Sequence, residues 1–402
     1  MKGIVIVGAG QAGSTLAETL RAKGYEGPVT MIGAEAFPPY ERPPLSKAYL
    51  LGDYLRERLY LRQPSVYAEK DITLRLGSPV TKIDPDAKTV ALGDETIEYD
   101  QVALVTGGIP NTLPAAIGGD LDKVFTVRTL GDIERLQPHF NFGARVLVVG
   151  GGYIGLEAAA VASKLGLKVT LVEMADRILG RVASVETADA IRAVHKAHGV
   201  DIREGTGLET LIGENGVVTS ARLADGSELS VDFVIVGTGI RPETALAEAA
   251  GVHCENGIVV DEFGRTSVEG IWAAGDCAVF DFKGAPIRLE SVQNAIDQST
   301  AVAENMLGAN EPYQPVPWFW SDQFNMKLQI AGINRGYDQI IVRQTAAGLS
   351  HWYFQNGTFL AVDAINAPRD YMVGLRILQM GKSLDADTAA DPEADLKAIL
   401  KA

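Results

Sequence analysis

The chain has 402 residues, a hydrophobic content of 47% and a formal net charge of −15. This length predicts two or three domains. The acidic balance argues against nucleic acid and anionic membrane surfaces as partners, and no apolar run approaches the ~18 residues of a membrane span. The sequence opens with a strand pattern and no signal peptide, which predicts a cytoplasmic protein.

The first dozen residues predict a dinucleotide-binding unit. An apolar run at residues 4–7 is typical of a buried parallel strand, and it leads through G-x-G-x-x-G into a helical pattern. Such glycines permit the tight turn, the approach of a pyrophosphate and the packing of helix on strand. A second strand at residues 29–32 precedes Glu35, which can accept ribose hydroxyls. The predicted binding residues are therefore Gly8, Gly10, Gly13 and Glu35.

A proline-rich loop at residues 38–50 comes next and turns helical near Lys47. Lys47 is either a solvated surface lysine or a cation held against a cofactor's ring carbonyl or pyrophosphate. Short strands with turns follow at residues 72–99, and a buried strand follows at residues 101–106.

The chain then repeats its first pattern. A strand at residues 145–149, a second glycine turn, a helix and a strand at residues 168–172 end in Glu173. The predicted binding glycines are Gly150, Gly152 and Gly155. A carboxylate at Glu173 favours NADH over NADPH, because it would bond the 2′-hydroxyl and repel a 2′-phosphate. The alternative is that Glu173 is only solvated and Arg177 accepts the phosphate. Two units imply two nucleotides and hydride movement between them.

Near residue 270 the sequence returns to the style of the first unit, with a strand followed by Gly275 and Asp276. An aspartate at such a turn can bind a polyol chain. Three prolines at positions 312, 315 and 317 then mark a linker. Beyond them, strand patterns at residues 327–331, 339–343, 349–353 and 360–364 predict a small antiparallel sheet, and residues 369–380 predict a helix.

Two stretches are more specific than the glycine turns: P-Y-E-R-P-P-L-S-K at residues 39–47 and W-F-W-S-D at residues 318–322. With V-R-T-L at 127–130 and G-D-C at 275–277, they make the chain resemble a known family. It is similar to the FAD-dependent, NADH-consuming ferredoxin reductases of bacterial cytochrome P450 and aromatic-ring dioxygenase systems. These enzymes are glutathione-reductase-like flavoproteins, and the resemblance covers essentially the whole chain.

The resemblance and the repeat order together imply an α/β fold with two Rossmann-like domains, one inserted in the other, and a C-terminal α+β domain. The expected boundaries are residues 1–110 and 237–312 for the FAD-binding domain and 111–236 for the NADH-binding domain. Residues 313–402 would form the C-terminal domain.

The resemblance also implies roles for individual residues. On the FAD side, Ala12 would contact the pyrophosphate, Glu35 the adenosine ribose and Val80 the adenine. Arg128 would contact the flavin, Asp276 the ribityl chain and Val292 the pyrimidine end of the flavin. Lys47 would lie beside the flavin. Tyr153 and Glu157 would meet the nicotinamide, and Glu173 would bind the ribose of NADH. Trp320 is either an aromatic residue at the flavin edge of the site or part of a core.

The implied reaction takes hydride from NADH onto FAD and passes single electrons to a [2Fe–2S] ferredoxin, which serves a cytochrome P450 or a ring-hydroxylating oxygenase. The alternative is an NADH-sensing signalling flavoprotein of the apoptosis-inducing-factor type. No metal site is predicted. The family's usual basic residues are missing at 109–111 and at 299–300, so other cations would have to dock the ferredoxin. The candidates are Arg58, Arg62, Lys327, Arg335, Arg343, Arg369 and Lys382.

Overall fold

The computed structural model describes residues 2–400 and divides the chain into two compact units. The first unit runs up to Glu41 and also includes Leu55–Ile109 and Ile240–Pro315. The second unit contains Arg42–Tyr54, Pro110–Gly239 and the chain from Val316 onward. In the described part of the chain, no helix has both the length and the apolar character needed to cross a bilayer.

A five-stranded parallel sheet, the first sheet, forms the centre of the first unit. Its spatial order is Ile271–Ala273, Gln101–Leu104, Ile4–Val7, Val29–Ile32 and Ile72–Arg75. The central strand, Ile4–Val7, pairs in parallel with Val29–Ile32, and Ile4 lies opposite Val29. Helices Gln11–Ala22 and Val292–Met306 pack against each other, and both contribute to one core with this sheet. One edge strand comes from far along the chain, which is the arrangement that the repeat order predicted.

Smaller elements complete the first unit. An antiparallel sheet contains Lys82–Asp84, Thr89–Leu92 and Glu95–Glu98, and a second small sheet contains Ile258–Val259, Ala278–Phe282 and Ala285–Ile287. Other short elements are helices Pro64–Glu69 and Ala245–Ala249 and strand Ile240–Pro242, and strand Gly108–Pro110 lies where the segment Leu55–Ile109 ends.

The second unit has its own five-stranded parallel sheet, the second sheet. Its order is Asp201–Glu204, Lys168–Glu173, Arg145–Val149, Phe233–Val236 and Val124–Thr126. Its helices are Leu130–Leu136, Tyr153–Lys164 and Val185–Ala197, and an antiparallel sheet is made of Leu208–Glu214, Val217–Leu223 and Glu228–Ser230. The two predicted parallel sheets and the α/β fold class are confirmed.

The C-terminal part of the second unit is a five-stranded antiparallel sheet, the C-terminal sheet. Its order is Trp318–Gln323, Met326–Gly332, Thr358–Ile365, Leu349–Gln355 and Gln339–Gln344. Helices Pro368–Gln379 and Ala386–Ala390 follow it. Four of the strands and the first helix were predicted. The additional strand is the aromatic stretch Trp318–Gln323, which proves to be the part of this sheet that reaches the candidate site.

Candidate active site

The first glycine turn has the geometry of a phosphate-binding loop. Gly8 has a φ of 124°, and a Cβ on it would lie 2.2 Å from the carbonyl oxygen of Val105. A Cβ on Gly13 would lie 2.0 Å from the oxygen of Gly8, so only glycine lets the helix start this close to the strand. A Cβ on Gly10 would meet nothing within 4 Å. The helix N-terminus therefore has open space in front of it, as a pyrophosphate requires.

Other predicted FAD residues of the first unit lie close to this loop. A Cβ on Gly275, whose φ is 81°, would lie 3.3 Å from the Cβ of Ala12. Asp276 follows in the short 3₁₀ helix Gly275–Cys277. The Gly275 amide donates to Oε1 of Gln298 at 2.8 Å, and Gln298 is a partner that the sequence did not indicate. These contacts fix the turn that presents Asp276.

Three further predicted residues of this unit are also placed. Tyr40 donates from its hydroxyl to Oε2 of Glu35 at 2.6 Å, which orients the predicted ribose acid. Val292 is the first residue of its helix, and Ser291 caps that helix by accepting from the amide of Asn294. Val80 lies outside the strands, packed against a core of the same unit.

The second glycine turn repeats the geometry in the second unit. Gly150 has a φ of 106°, and a Cβ on Gly155 would lie 2.1 Å from its carbonyl oxygen. Gly152 caps helix Tyr153–Lys164, and the nearest atom to a Cβ there would be 3.8 Å away. The residues of both loops thus fit a bound dinucleotide, with a strained turn, a close helix and an open N-terminus in each.

The predicted coenzyme acid, Glu173, is fixed by backbone amides. The amide of Gly151 donates to Oε2 and the amide of Ala175 donates to Oε1, both at 2.8 Å. The hypothesis that Glu173 is merely solvated is therefore wrong. Arg177, the alternative phosphate partner, is engaged by the carbonyl oxygens of Ile178, Gly180, Ala183 and Ser184 at 2.8–3.4 Å.

Glu157 is the centre of a buried polar cluster in the second unit. Its side chain is 2% exposed, and Nζ of Lys47 lies 2.7 Å from Oε2. The hydroxyl of Ser46 donates to the same oxygen at 2.5 Å, and that of Ser321 donates to Oε1 at 2.6 Å. Lys47 is only 19% exposed, so the interpretation as a solvated surface lysine is wrong. The sequence indicated Lys47 and Glu157 separately but neither their ion pair nor the two serines.

The aromatic candidates lie on elements that adjoin this cluster. Tyr153 precedes Glu157 by one helical turn, and its ring is 4.8 Å from the ring of Phe319. Its hydroxyl is buried without a hydrogen-bond partner among residues 2–400, and burial raises the pKa of Tyr153 well above its ordinary value. Trp320 is half-buried, 5.6 Å from the ring of Trp318.

Two arginines complete the survey of predicted residues. The amide of Arg128 donates to Oδ2 of Asp132 at 3.2 Å, and its carbonyl accepts from Arg42 at 2.6 Å, so its backbone is well fixed. Arg343 was a candidate for docking a ferredoxin, and the structure contradicts this. It is 5% exposed, and its guanidinium donates to carbonyl oxygens of the C-terminal segment, those of Ala389, Asp391, Pro392 and Ala394.

Comparison with known proteins is consistent with this geometry. Residues 2–299 match the pyridine nucleotide-disulphide oxidoreductase family, and residues 318–400 match the reductase C-terminal family. The chain is 42% identical to rhodocoxin reductase of Rhodococcus erythropolis, covering 98% of this chain and 93% of that protein. It is 40% identical to putidaredoxin reductase of Pseudomonas putida, with coverage of 99% and 97%. The crystal structure of the covalent putidaredoxin reductase–putidaredoxin complex matches with a TM-score of 0.95 at 39% identity, covering 99% of this chain and 98% of that one.

Proposed function

The chain belongs to the pyridine nucleotide-disulphide oxidoreductase family and is a reductase that uses FAD and a nicotinamide coenzyme, and from this premise we propose that it oxidises NADH and delivers single electrons to a [2Fe–2S] ferredoxin. The observation that carries the proposal is the Lys47–Glu157 ion pair, buried beside the second glycine turn. The ferredoxin would in turn serve a cytochrome P450 or a ring-hydroxylating oxygenase. The signalling alternative has no support, since the relatives are named as reductases.

The residues divide into two sets that would hold the two cofactors. FAD would be held by Gly8, Gly10, Ala12, Gly13, Glu35, Val80, Gly275, Asp276 and Val292 in the first unit, with Lys47 and Arg128. NADH would be held by Gly150, Gly152, Gly155 and Glu173, with Tyr153 and Glu157 at the nicotinamide and Trp320 at the flavin edge. We assign residues 1–110 and 237–312 to FAD, 111–236 to NADH and 313–402 to the C-terminal domain.

When bound, FAD supplies the chemistry that side chains lack, because it accepts two electrons as a hydride and releases them one at a time. The protein's own part is positioning and electrostatics. Lys47 would place a positive charge beside the flavin, which gains negative charge when it accepts hydride, and Glu157 holds that ammonium in place. Tyr153, whose hydroxyl is buried, would help to exclude water from the nicotinamide side. The cytoplasmic location stays a prediction from the sequence.

The coenzyme preference follows from Glu173 and Arg177. A carboxylate fixed by two amides repels a 2′-phosphate, and an arginine engaged by four carbonyls gives that phosphate no ready cation. We expect kcat/KM for NADH to exceed that for NADPH by about 10²-fold. Glu173→Gln should reduce this ratio at least tenfold while leaving FAD content unchanged. Comparable kcat/KM values for both coenzymes in the natural protein would contradict the assignment.

The ferredoxin proposal needs a separate experiment. The holoenzyme with NADH should reduce at least one member of a panel of bacterial [2Fe–2S] ferredoxins, followed by electron transfer to cytochrome c. A net charge of −15 makes the long-range force on an acidic ferredoxin repulsive, so a local basic patch would have to steer it. Lys327, Arg335 and Arg369 are exposed candidates for that patch.

Salt concentration separates the two kinds of docking. With a basic patch, ferredoxin reduction slows as salt rises, while hydride transfer from NADH barely changes. Activity that is flat or rising between low and moderate salt would instead favour an apolar interface. NADH oxidation that proceeds with small acceptors but with no ferredoxin would contradict the proposed partner.

A further inference from the structure

The Trp318–Gln323 strand carries two buried polar side chains, of which Ser321 donates to Glu157 and Gln323 lies behind Ser321. Ser321 and Gln323 point to the same side of the strand, and both are buried, with exposures of 0% and 1%. Nε2 of Gln323 lies 3.0 Å from Oγ of Ser321, and Oε1 of Gln323 lies 2.7 Å from Nε2 of His195. His195 is on helix Val185–Ala197 and is fully buried. A continuous chain of hydrogen bonds therefore runs from His195 to Glu157.

The direction of this chain follows from what each atom can donate. Glu157 can only accept, so the hydroxyl hydrogen of Ser321 points to Oε1 of Glu157. Ser321 then accepts from the amide NH₂ of Gln323, which leaves the amide oxygen to accept from His195. The proton of His195 is accordingly on Nε2. Nδ1 has no hydrogen-bond partner within residues 2–400, and an unprotonated nitrogen is the less costly group to leave there.

His195 is the uncharged end of this chain of hydrogen bonds. Burial lowers the pKa of His195 to about 4, so near neutral pH the ring adds no charge of its own. Phe324 packs edge-on against it with ring centroids 5.1 Å apart, which holds the imidazole plane in place. Every bond from His195 onward therefore directs a hydrogen toward Glu157, and aligned donors polarise one another in a low-dielectric interior.

We propose that Ser321, Gln323 and His195 are positioning residues that hold the carboxylate of Glu157 from its Oε1 side, and thereby fix the Lys47–Glu157 ion pair for hydride transfer. The inference rests on the proposed function. Ser321 holds one oxygen, while Lys47 and Ser46 hold the other. Without the Ser321 donor, the carboxylate can rotate about its last bond, and the ammonium of Lys47 loses its fixed place. A 1 Å displacement of such a group is enough to slow a reaction severely.

The same C-terminal sheet contains a matched control. Ser350 is also a fully buried serine whose hydroxyl donates to a carboxylate, Oδ2 of Asp370, at 2.6 Å. It also accepts a hydrogen bond from a neighbouring side chain, Nε1 of Trp352, at 2.9 Å. Ser350→Ala thus removes the same hydroxyl from the same kind of setting, but at a carboxylate unconnected with Glu157.

The first measurement is single-turnover reduction of the holoenzyme by NADH. We expect Ser321→Ala to lower the limiting rate constant about tenfold, because the variant loses one hydrogen bond to a charged group. The apparent affinity for NADH should change less than twofold. Ser321→Thr keeps the hydroxyl and should recover most of the rate. Ser350→Ala should stay within twofold of the natural protein. Equal slowing in Ser321→Ala and Ser350→Ala would mean that the hydrogen bonds from His195 to Glu157 have only a structural role, and it would overturn the proposal.

Gln323→Glu tests the direction of the chain at nearly constant shape. Once the introduced carboxyl group is ionised at high pH, it accepts from both His195 and Ser321, so the serine hydroxyl turns away from Glu157. We expect the rate to fall as far as in Ser321→Ala, and an unchanged rate would overturn the proposal. In infrared spectra of the oxidised proteins, the carboxylate band lost in Glu157→Gln should shift in Ser321→Ala and Gln323→Glu but not in Ser350→Ala. Natural protein that is not reduced by NADH would instead contradict the proposed function.

Discussion

Two buried carboxylates of the second unit lie in similar surroundings and differ in one partner. Glu157 and Asp363 are 2% and 1% exposed, and each accepts hydrogen bonds from two hydroxyl groups. For Asp363 the donors are Thr187 at 2.8 Å and Tyr353 at 2.5 Å. Glu157 has in addition the ammonium of Lys47. Among residues 2–400, Asp363 forms no ion pair with lysine or arginine.

This difference shows what hydroxyl groups can and cannot do for a buried acid. Burial raises the pKa of Asp363 to about 6, and the two hydroxyls only oppose that rise. Hydrogen bonds therefore replace only part of the lost hydration, and a buried carboxylate without a counter-charge remains costly to ionise. At the predicted site of hydride transfer, the buried carboxylate of the second unit has a cation as a partner, which is the costlier arrangement. Asp363, which joins a strand to a helix, has hydroxyl partners alone.

Removal of the cation from the Glu157 cluster should have the largest effect. Lys47→Met leaves a carboxylate buried with hydroxyl partners only, which is the situation of Asp363. We expect the free energy of unfolding to fall by about 4 kcal/mol, the cost of breaking a buried pair by removing one partner. The rate of reduction by NADH should fall about 10²-fold, because a charge aimed at the reacting centre is lost. Denaturant unfolding and stopped-flow absorbance measure the two quantities.

A double variant provides the control for Lys47→Met. Lys47→Met combined with Glu157→Gln removes both charges, so most of the stability should return while hydride transfer stays slow. If the single variant were as stable as the natural protein, the ion pair would not be the feature that separates the two carboxylates.

Asp363→Asn should have the next largest effect, and the size of this effect depends on pH. The pKa of Asp363 is about 6 in the folded protein against an ordinary value of 3.8, so its contribution to stability is complete below pH 3.8 and is lost as pH rises through 6. Relative to Asp363→Asn, the natural protein should lose about 2 kcal/mol of unfolding free energy between pH 4 and pH 7. Groups common to both proteins, including His195 and His351, cancel in this difference.

The measurement is denaturant unfolding of both proteins at several pH values in that range. A difference that does not vary with pH would mean that Asp363 keeps an ordinary pKa despite its burial. Hydride transfer should be equally fast in both proteins at each pH, because Asp363 is outside the proposed machinery.

The sequence predicted those parts of the molecule in which the signal is local. Each nucleotide unit has its strand, glycines, helix and acid within about 35 residues, so the pattern predicted both parallel sheets and the fixed Glu173 region. The resemblance then indicated Lys47 and Glu157 one by one. Their ion pair joins residues 110 positions apart, and no local pattern predicts such a contact.

The buried networks could not be predicted for the same reason. Thr187, Tyr353 and Asp363 come from a helix and two strands that are more than 150 residues from the helix. Arg343 shows the converse error, because an isolated arginine in a strand pattern indicates an exposed cation. It is instead buried, and its partners are main-chain carbonyls and the carboxylate of Asp370. The two specific stretches gave a partial signal: residues 39–47 contain Ser46 and Lys47, and residues 318–322 contain Ser321 and end one position before Gln323.

Loss of one hydroxyl from the Asp363 cluster should have the smallest effect. Thr187→Val keeps the shape of the side chain but leaves Asp363 with Tyr353 as its remaining hydroxyl donor, and it removes the acceptor that lies 2.7 Å from Nδ1 of His351. We expect a loss of about 1–2 kcal/mol in unfolding free energy at pH 7. The loss should be smaller at pH 5, where the carboxyl of Asp363 is protonated and no longer depends on donated hydrogens. Thr187→Ser retains the hydroxyl and should recover most of the stability.

Thr187→Val also tests whether the two clusters act separately. It removes a hydroxyl that donates to a buried carboxylate, as Ser321→Ala does, but at the carboxylate that has no cation. If the ion pair is what makes the Glu157 cluster functional, Thr187→Val should lower stability and leave reduction by NADH within twofold, whereas Ser321→Ala should slow reduction about tenfold. Equal slowing in both variants would mean that the two clusters are coupled through the protein, and that the ammonium of Lys47 does not by itself distinguish them.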